Sequence, residues 1–178
     1  MPYTVRLATA ADIPSISALI PISVRALSAG IYTDRQIESA LVHVFGVDSQ
    51  LLADGTYFVA VDGETLVGCG GWSKRATLYG GDQAKDVADP LLDPATDSAR
   101  IRAFFVHPSW ARQGIGRRII EQSEAAARAA GFQSMVLGAT LPGEPLYAAL
   151  GYVAITRSAA EMPDGESLPV IHMEKLLD

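Results

Sequence analysis

Two glycines near the middle of the chain separate an apolar run from an Ala-rich segment, in Arg112-Gln113-Gly114-Ile115-Gly116-Arg117. The apolar run predicts a strand, and the Ala-rich segment, 118–130, predicts an amphipathic helix. Glycines let a ligand approach the backbone closely, and the first amides of a helix lack partners within it. Strand, glycine turn and helix in this order indicate a phosphate cradle, to which the flanking arginines add charge.

Two familiar phosphate-binding loops do not fit this turn. A dinucleotide fold needs a third glycine, where this chain has Ile119, and an acidic residue after the next strand, where it has Gly138-Ala139-Thr140. A nucleotide-hydrolase loop needs Lys and then Ser or Thr after its last glycine, and here Arg117-Arg118 follow. An ordinary glycine turn before a helix remains open.

The segment 104–152 resembles the coenzyme A motif of the GCN5-related N-acetyltransferases, written Q/R-x-x-G-x-G/A. Its glycines correspond to Gly114 and Gly116, and its first position corresponds to Ala111, a departure from the Gln or Arg of the motif. The resemblance extends over nearly the whole chain and suggests a bacterial branch of that family. It implies acetyl-CoA as cofactor and an amine of a small molecule or peptide as acceptor.

The resemblance also implies the fold class, α/β (α+β), with a mixed central sheet of about seven strands, a splayed parallel pair and about four helices. Residues 1–178 are expected to form a single N-acetyltransferase domain. The parallel pair is predicted at 100–106 and 134–137, because a helix crosses between these strands. Pro21 predicts a break or kink in the first helix. The long segment 73–99 is predicted to be functional or disordered.

Roles for individual residues follow from the resemblance alone. The backbone of Phe104, Phe105 and Val106 corresponds to the strand that binds the pantetheine arm. The pyrophosphate loop corresponds to Arg112, Gln113, Gly114, Ile115, Gly116 and Arg117. Tyr147, in a segment similar to "LYEKLGF", corresponds to the tyrosine that protonates the departing coenzyme A sulfur. The alternative for Tyr147 is packing beside the cofactor without proton transfer.

The acceptor pocket is predicted to use Tyr32, Trp72 and Tyr79 as walls, although Trp72 equally fits a core anchor at a strand end. No general base stands out. His107 follows the cofactor strand, and histidine is a residue type that can accept a proton near neutral pH. Glu144 and Glu161 are further candidates for the general base by analogy with the family.

The composition limits the classes of binding partner and the cellular location that we expect. The net charge of −6 disfavours nucleic acid. We expect a cytoplasmic protein without membrane contact, since no signal-peptide core or apolar run of transmembrane length is evident. The one cysteine, Cys69, excludes an internal disulfide and sits in an apolar strand, and no Cys/His cluster suggests a metal.

Two hypotheses follow for function. The first is direct acetyl transfer in a ternary complex, with no cysteine placed for a covalent intermediate. The second is a coenzyme A-binding sensor or scaffold without turnover. A homodimer is compatible with either.

Overall fold

A seven-stranded mixed sheet forms the centre of the protein. The computed structural model describes residues 2–85 and 89–178. The strands are β1 (Thr4–Leu7), β2 (Tyr57–Asp62), β3 (Thr65–Ser73), β4 (Ala99–Val106), β5 (Ser134–Thr140), β6 (Val153–Glu161) and β7 (Ser167–Leu176). They lie in the order β1-β2-β3-β4-β5-β7-β6.

Five α-helices occur in the described residues, one more than predicted. They are α1 (Ile13–Ser28), α2 (Asp34–His43), α3 (Ser49–Ala53), α4 (Ile115–Ala129) and α5 (Glu144–Ala149). The additional helix is α3, whose first turn is capped by the side chain of Asp48 accepting from the Gln50 amide. With five residues, α3 is too short to show the repeat of apolar positions by which a helix is recognised from sequence.

Strands β4 and β5 form the predicted parallel pair, and their separation confirms the predicted splay. All other neighbours pair antiparallel. The parallel pairing contains two register pairs, Ala99 with Met135 and Arg100 with Val136. Beyond Arg100 the two strands diverge, so a gap opens in the middle of the sheet.

The sheet carries helices on both faces. On one face, α1 and α2 contribute Ile16, Leu19 and Ile37 to a buried cluster that includes Phe105. On the other face, α4 contributes Ile115 and Ile119 to one buried cluster and Ile120 to a second, which also contains Tyr147 of α5. The gap between β4 and β5 therefore connects two helical layers.

Helix α1 continues through Pro21, so the predicted break is absent. A proline inside a helix costs about 3 kcal/mol. Ile16 and Ile20 before it and Val24 after it lie in the same buried cluster, which holds both halves of the helix against the sheet. By length and composition alone Ala10–Ser28 meets the criterion for a membrane span, with a mean hydropathy of 1.3. Core helices meet the same criterion, and the inner face of this helix is core.

The segment 73–99 has structure of its own in its described residues. Arg75 forms a bridge with Leu91 that brings the two ends of the segment together. The Arg75 guanidinium donates to both carboxylate oxygens of Asp54, at 2.8 and 3.0 Å. Residues 86–88, including Asp86, lie outside the described residues.

Candidate active site

A β-bulge in β4 accompanies the gap in the sheet. Ala103 and Phe104 of β4 together oppose the single residue Gly70 of β3. Ala103 takes a φ of 59°, which is rare for a residue with a side chain. Gly70 is required there, because a Cβ at that position would lie 2.6 Å from the Phe104 ring.

Tyr57 holds the bulge in place. Its side chain is 3% exposed, and its hydroxyl donates to the Ala103 carbonyl at 2.6 Å. Burial raises the pKa of Tyr57 well above its usual value, so the hydroxyl keeps the proton that this hydrogen bond requires. Further along β4, the Val106 amide donates to the Ser23 hydroxyl of α1 instead of to a strand.

A cavity of about 850 Å³ passes through the gap between β4 and β5. The edge of β4, the glycine turn and α5 line one part of it, and α1, the end of α2 and the tip of the β3–β4 segment line another. The divergence of the two parallel strands therefore joins all these elements around one space.

The glycine turn lies on the cavity wall immediately before α4. Gly114 has a φ of 84°, in the left-handed region that favours glycine, and α4 begins at the next residue. Among the described residues, a Cβ at Gly114 would have one neighbour within 4 Å, the Tyr3 hydroxyl at 3.8 Å. Gly116 has a different role, since a Cβ there would lie 2.9 Å from the Leu146 side chain of α5.

The structure brings nearly all the residues with predicted cofactor roles to this cavity. Those that line it are Phe104, Phe105, Val106, Arg112, Gly114, Ile115, Gly116 and Arg117. Gln113 does not line it, and its carbonyl lies 3.5 Å from the Tyr3 hydroxyl.

Two arginines give this end of the cavity its positive charge. Arg117 is 55% exposed at its side chain and lies 3.7 Å from Glu121, a loose pair in water. Arg112 forms no ion pair within the part of the chain that the structure describes, and its φ of 62° is a strained value for a residue with a side chain. Arg112 can pair with an anion directly, and Arg117 can do so by exchanging its loose contact with Glu121.

Tyr147 lies on the cavity wall at α5 and is 8% exposed. Its ring makes edge contacts with Phe104 and Tyr152, at centroid distances of 6.4 and 5.9 Å. Burial raises the pKa of Tyr147, and burial is the only cause of the shift. The phenol therefore stays protonated at neutral pH beside the β4 edge.

Of the three predicted acceptor walls, only Tyr79 lines the cavity. Tyr32 is 4% exposed, and its hydroxyl donates to the Pro169 carbonyl at 2.6 Å and accepts from the Leu141 amide at 2.9 Å. Trp72 is 5% exposed and packs edge-on against Phe132. Both aromatic side chains belong to the core, where Tyr32 fixes the backbone of Leu141.

None of the three candidate bases lines the cavity. His107 uses Nδ1 to accept from the Ser109 amide at 3.1 Å, which caps a short turn. Glu144 pairs with Arg157 at 2.6 Å, and Glu161 is exposed. Within residues 2–85 and 89–178, no aspartate, glutamate or histidine lines the cavity.

Comparison with known families decides the class of the protein. The family model described as "Acetyltransferase (GNAT) domain" matches residues 53–154, more than half of the chain. The chain belongs to the GNAT acetyltransferase family. It is therefore an acyltransferase, and its acceptors are amines. Among proteins of curated function, no match is found.

Solved structures share this GNAT fold at low sequence identity. A GCN5-related N-acetyltransferase from Rhodopseudomonas palustris is 22% identical over 99% of this chain and 97% of its own, with a TM-score of 0.73. A phosphinothricin acetyltransferase from Sinorhizobium meliloti, in complex with acetyl-CoA, is 20% identical over 99% and 89%, with a TM-score of 0.64. The YncA protein from Salmonella typhimurium, with its cofactor acetyl-CoA, is 18% identical over 100% and 95%, with a TM-score of 0.62.

A buried ionic cluster in this GNAT acetyltransferase was missed by sequence reasoning. Arg102 is 2% exposed, and its Nη2 donates to Asp48 at 2.9 Å and to the carbonyl of Gly80. Lys85 also donates to Asp48, at 2.7 Å to each oxygen. Burial lowers the pKa of Arg102, and Asp48 opposes that effect. The cluster ties the tip of the β3–β4 segment to the cavity; arginines alternating with apolar residues in β4 were its only signal.

Proposed function

We propose that the protein transfers an acetyl group from acetyl-CoA to a primary amine by direct attack in a ternary complex. The observation that carries this proposal is the continuous cavity from the glycine turn, through the gap between β4 and β5, to the β3–β4 segment. A donor and an acceptor that enter from its two ends meet at the β4 edge. In this proposal residues 1–178 act as a single N-acetyltransferase domain.

The residues present fit acetyl-CoA. Gly114 leaves open space on the cavity wall, and it precedes the first residues of α4, whose amides lack partners within the helix. This arrangement suits a pyrophosphate. Arg112 and Arg117 add positive charge there, and the contact of Arg117 with Glu121 is loose enough to be exchanged for a phosphate.

Beyond Arg100 the edge of β4 that faces β5 has no strand partner. Tyr57 engages the Ala103 carbonyl and Ser23 engages the Val106 amide, which leaves the remaining backbone groups of this edge for the amides of a pantetheine arm.

Acetyl-CoA is the cofactor, and when bound it supplies the acetyl thioester. The residues around the gap then have three tasks: to orient the thioester along β4, to exclude water, and to return a proton to the sulfur. Tyr147 is our candidate for the last task, since its phenol remains protonated and lies on the cavity wall.

Direct attack, without an acyl-enzyme, is supported by the state of the single cysteine. Cys69 is fully buried, and burial raises the pKa of its thiol to about 12. Such a thiol is protonated at neutral pH and is out of reach of the cavity, so it does not serve as a nucleophile.

The test is a thiol-release assay with acetyl-CoA and a panel of primary amines, combined with mass measurement of the products. We expect amine-dependent release of coenzyme A, an acetylated amine, and no acetylated enzyme intermediate in the absence of amine. Tight binding of acetyl-CoA without release on any amine would overturn the proposal.

A further inference from the structure

One end of the cavity has apolar walls. We call it the acceptor compartment and define it by the lining residues Leu27, Ile31, Phe45, Leu78, Tyr79 and Leu141. They come from the end of α1, the end of α2, the β3–β4 segment and the residue after β5. The glycine turn and its two arginines lie on a different part of the wall.

Several of these apolar side chains are open to solvent. Ile31 is 50% exposed, and Leu27 and Tyr79 are each 38% exposed. Large apolar groups gathered and exposed around one opening mark a surface that binds an apolar partner. Burying them against an apolar ligand is favourable by about 25 cal/mol per Å² of apolar surface.

The acceptor compartment offers no partner for a charged ligand. Among the described residues of the whole cavity wall, the only charged side chains are Arg112 and Arg117, both at the glycine turn. The nearby cluster of Arg102 and Lys85 with Asp48 and Asp89 holds two charges of each sign, and Asp48 and Arg102 are inaccessible. A second charge on the acceptor would therefore lose part of its hydration without gaining a charged partner.

Tyr79 adds a flat surface at the gap itself. Its ring lies against Gly138 of β5, where a Cβ would come within 2.8 Å of the Tyr79 Cδ1 atom. An aromatic or branched aliphatic group in the compartment can pack against this ring while its amine points to the β4 edge.

We infer that the natural acceptor is a small primary amine on a hydrophobic body that carries no second charge. This inference rests on the proposed function and names its substrate class. Because an apolar site disfavours an ammonium group, the amine enters as the neutral base, ready to attack.

The first experiment compares kcat/KM for two apolar amines, phenethylamine and isoamylamine, with that for spermidine and glutamate. We expect the apolar amines to exceed the charged ones by about 10-fold or more, the cost of a charge that loses part of its hydration without gaining a partner. Equal or better use of spermidine or glutamate would overturn the inference and leave acetyl transfer standing. Absence of turnover with every amine would instead refute the proposed function.

A pair of matched variants tests whether the acceptor binds in the acceptor compartment. Ile31→Asp places a carboxylate at the compartment, whereas Ile22→Asp does so on α1 outside the cavity, and the two native side chains are similarly exposed, at 50% and 48%. Ile31→Asp should raise the putrescine-to-phenethylamine ratio of kcat/KM by about fivefold, the size of a partly solvated ion pair. An unchanged ratio, or the same change in Ile22→Asp, would overturn the assignment.

The pH dependence of kcat/KM tests whether the acceptor amine enters the compartment as the neutral base. The pH at which kcat/KM levels off should follow the pKa of the acceptor, and so fall when trifluoroethylamine replaces phenethylamine. If kcat/KM levels off at the same pH with both amines, a group of the enzyme deprotonates the acceptor. That result would contradict this part of the inference.

Discussion

Tyr147 and Tyr152 are neighbouring tyrosines of one cluster with different surroundings. Tyr152 donates to the buried carboxylate of Glu124 at 2.7 Å, and Lys175 donates to the same carboxylate. Tyr147 instead lines the cavity. The Tyr152 hydroxyl is therefore engaged within the core, whereas the Tyr147 hydroxyl is available to a ligand.

We predict that Tyr147→Phe slows acetyl transfer about 10²- to 10⁴-fold in single-turnover experiments, the usual range for general acid catalysis. Acetyl-CoA affinity and thermal stability should change little, because the ring is kept. Tyr152→Phe is the control: it should lower stability and leave the chemical step alone. A Tyr147→Phe rate within about twofold of wild type would make Tyr147 a packing residue.

Gly114 offers a test of the phosphate cradle with a closely matched control. Gly165, in the turn between β6 and β7, has a φ of 89° against 84° for Gly114, and a Cβ there would contact none of the described residues within 4 Å. Valine at either position should cost about 1–2 kcal/mol of stability through backbone strain. Only Gly114→Val should also weaken acetyl-CoA binding, measured by titration calorimetry. Unchanged affinity in Gly114→Val would reject the cradle.

At this scale the sequence predicted backbone conformation better than side-chain surroundings. Gly114 and Gly116 were recognisable because a turn before a helix needs few distant partners. Tyr32 and Trp72 were assigned to the acceptor wall but are buried, since their partners, such as Pro169 for Tyr32, are remote in the chain. An aromatic residue near a strand end fits either environment.

The bulge in β4 is the element that shapes the site, and Tyr57 stabilises it. We predict that Tyr57→Phe lowers the free energy of unfolding by about 1 kcal/mol, because the half-buried Ala103 carbonyl loses its donor. It should also slow acetyl transfer, since Ala103 and Phe104 line the cavity. Urea denaturation and single-turnover rates measure the two effects.

Tyr3→Phe is the control for that prediction, because the Tyr3 hydroxyl makes only a long contact of 3.5 Å. A comparably small loss of stability in both variants would show that the Tyr57 hydroxyl does not hold the bulge.

Among the elements, the strands and the parallel pair were predictable from apolar runs separated by a crossing helix. The continuity of α1 through Pro21 was not, because tertiary packing overrides the local penalty. The structure of the β3–β4 segment was also hidden, since it depends on Arg75 with Asp54 and on Arg102 with Asp48, pairs that are distant in sequence.

For the whole molecule, the attachment of the N-terminal strand to α1 introduces a pH dependence of stability. Asp12 accepts from both terminal nitrogens of Arg6, each at 2.8 Å, and from the Thr9 amide. The hydrogen bonds from Arg6 are the largest cause that lowers the pKa of Asp12, to about 2. A carboxyl with a lowered pKa in the folded state stabilises the fold above its unfolded pKa, near 4, and this contribution is lost as the pH falls through about 2.

We predict that Asp12→Asn lowers the free energy of unfolding by about 1 kcal/mol at neutral pH, a modest value because water partly screens the pair. The difference from wild type should shrink as the pH is lowered from about 4 to about 2. Glu38→Gln, which breaks the exposed pair with Arg25, should have a smaller effect. A pH-independent difference for Asp12→Asn, measured by denaturation at several pH values, would contradict this account.

The bridge between Arg75 and Leu91 closes the β3–β4 segment at its base, and the tip of the segment reaches the cavity. The end of the cavity at the glycine turn is built from other parts of the chain, the stretch 103–117 and helix α5. In the proposed function, changes in this segment can therefore alter the choice of acceptor while the glycine turn is left intact. For the same reason, a library confined to 76–82 is where directed evolution of acceptor choice should begin.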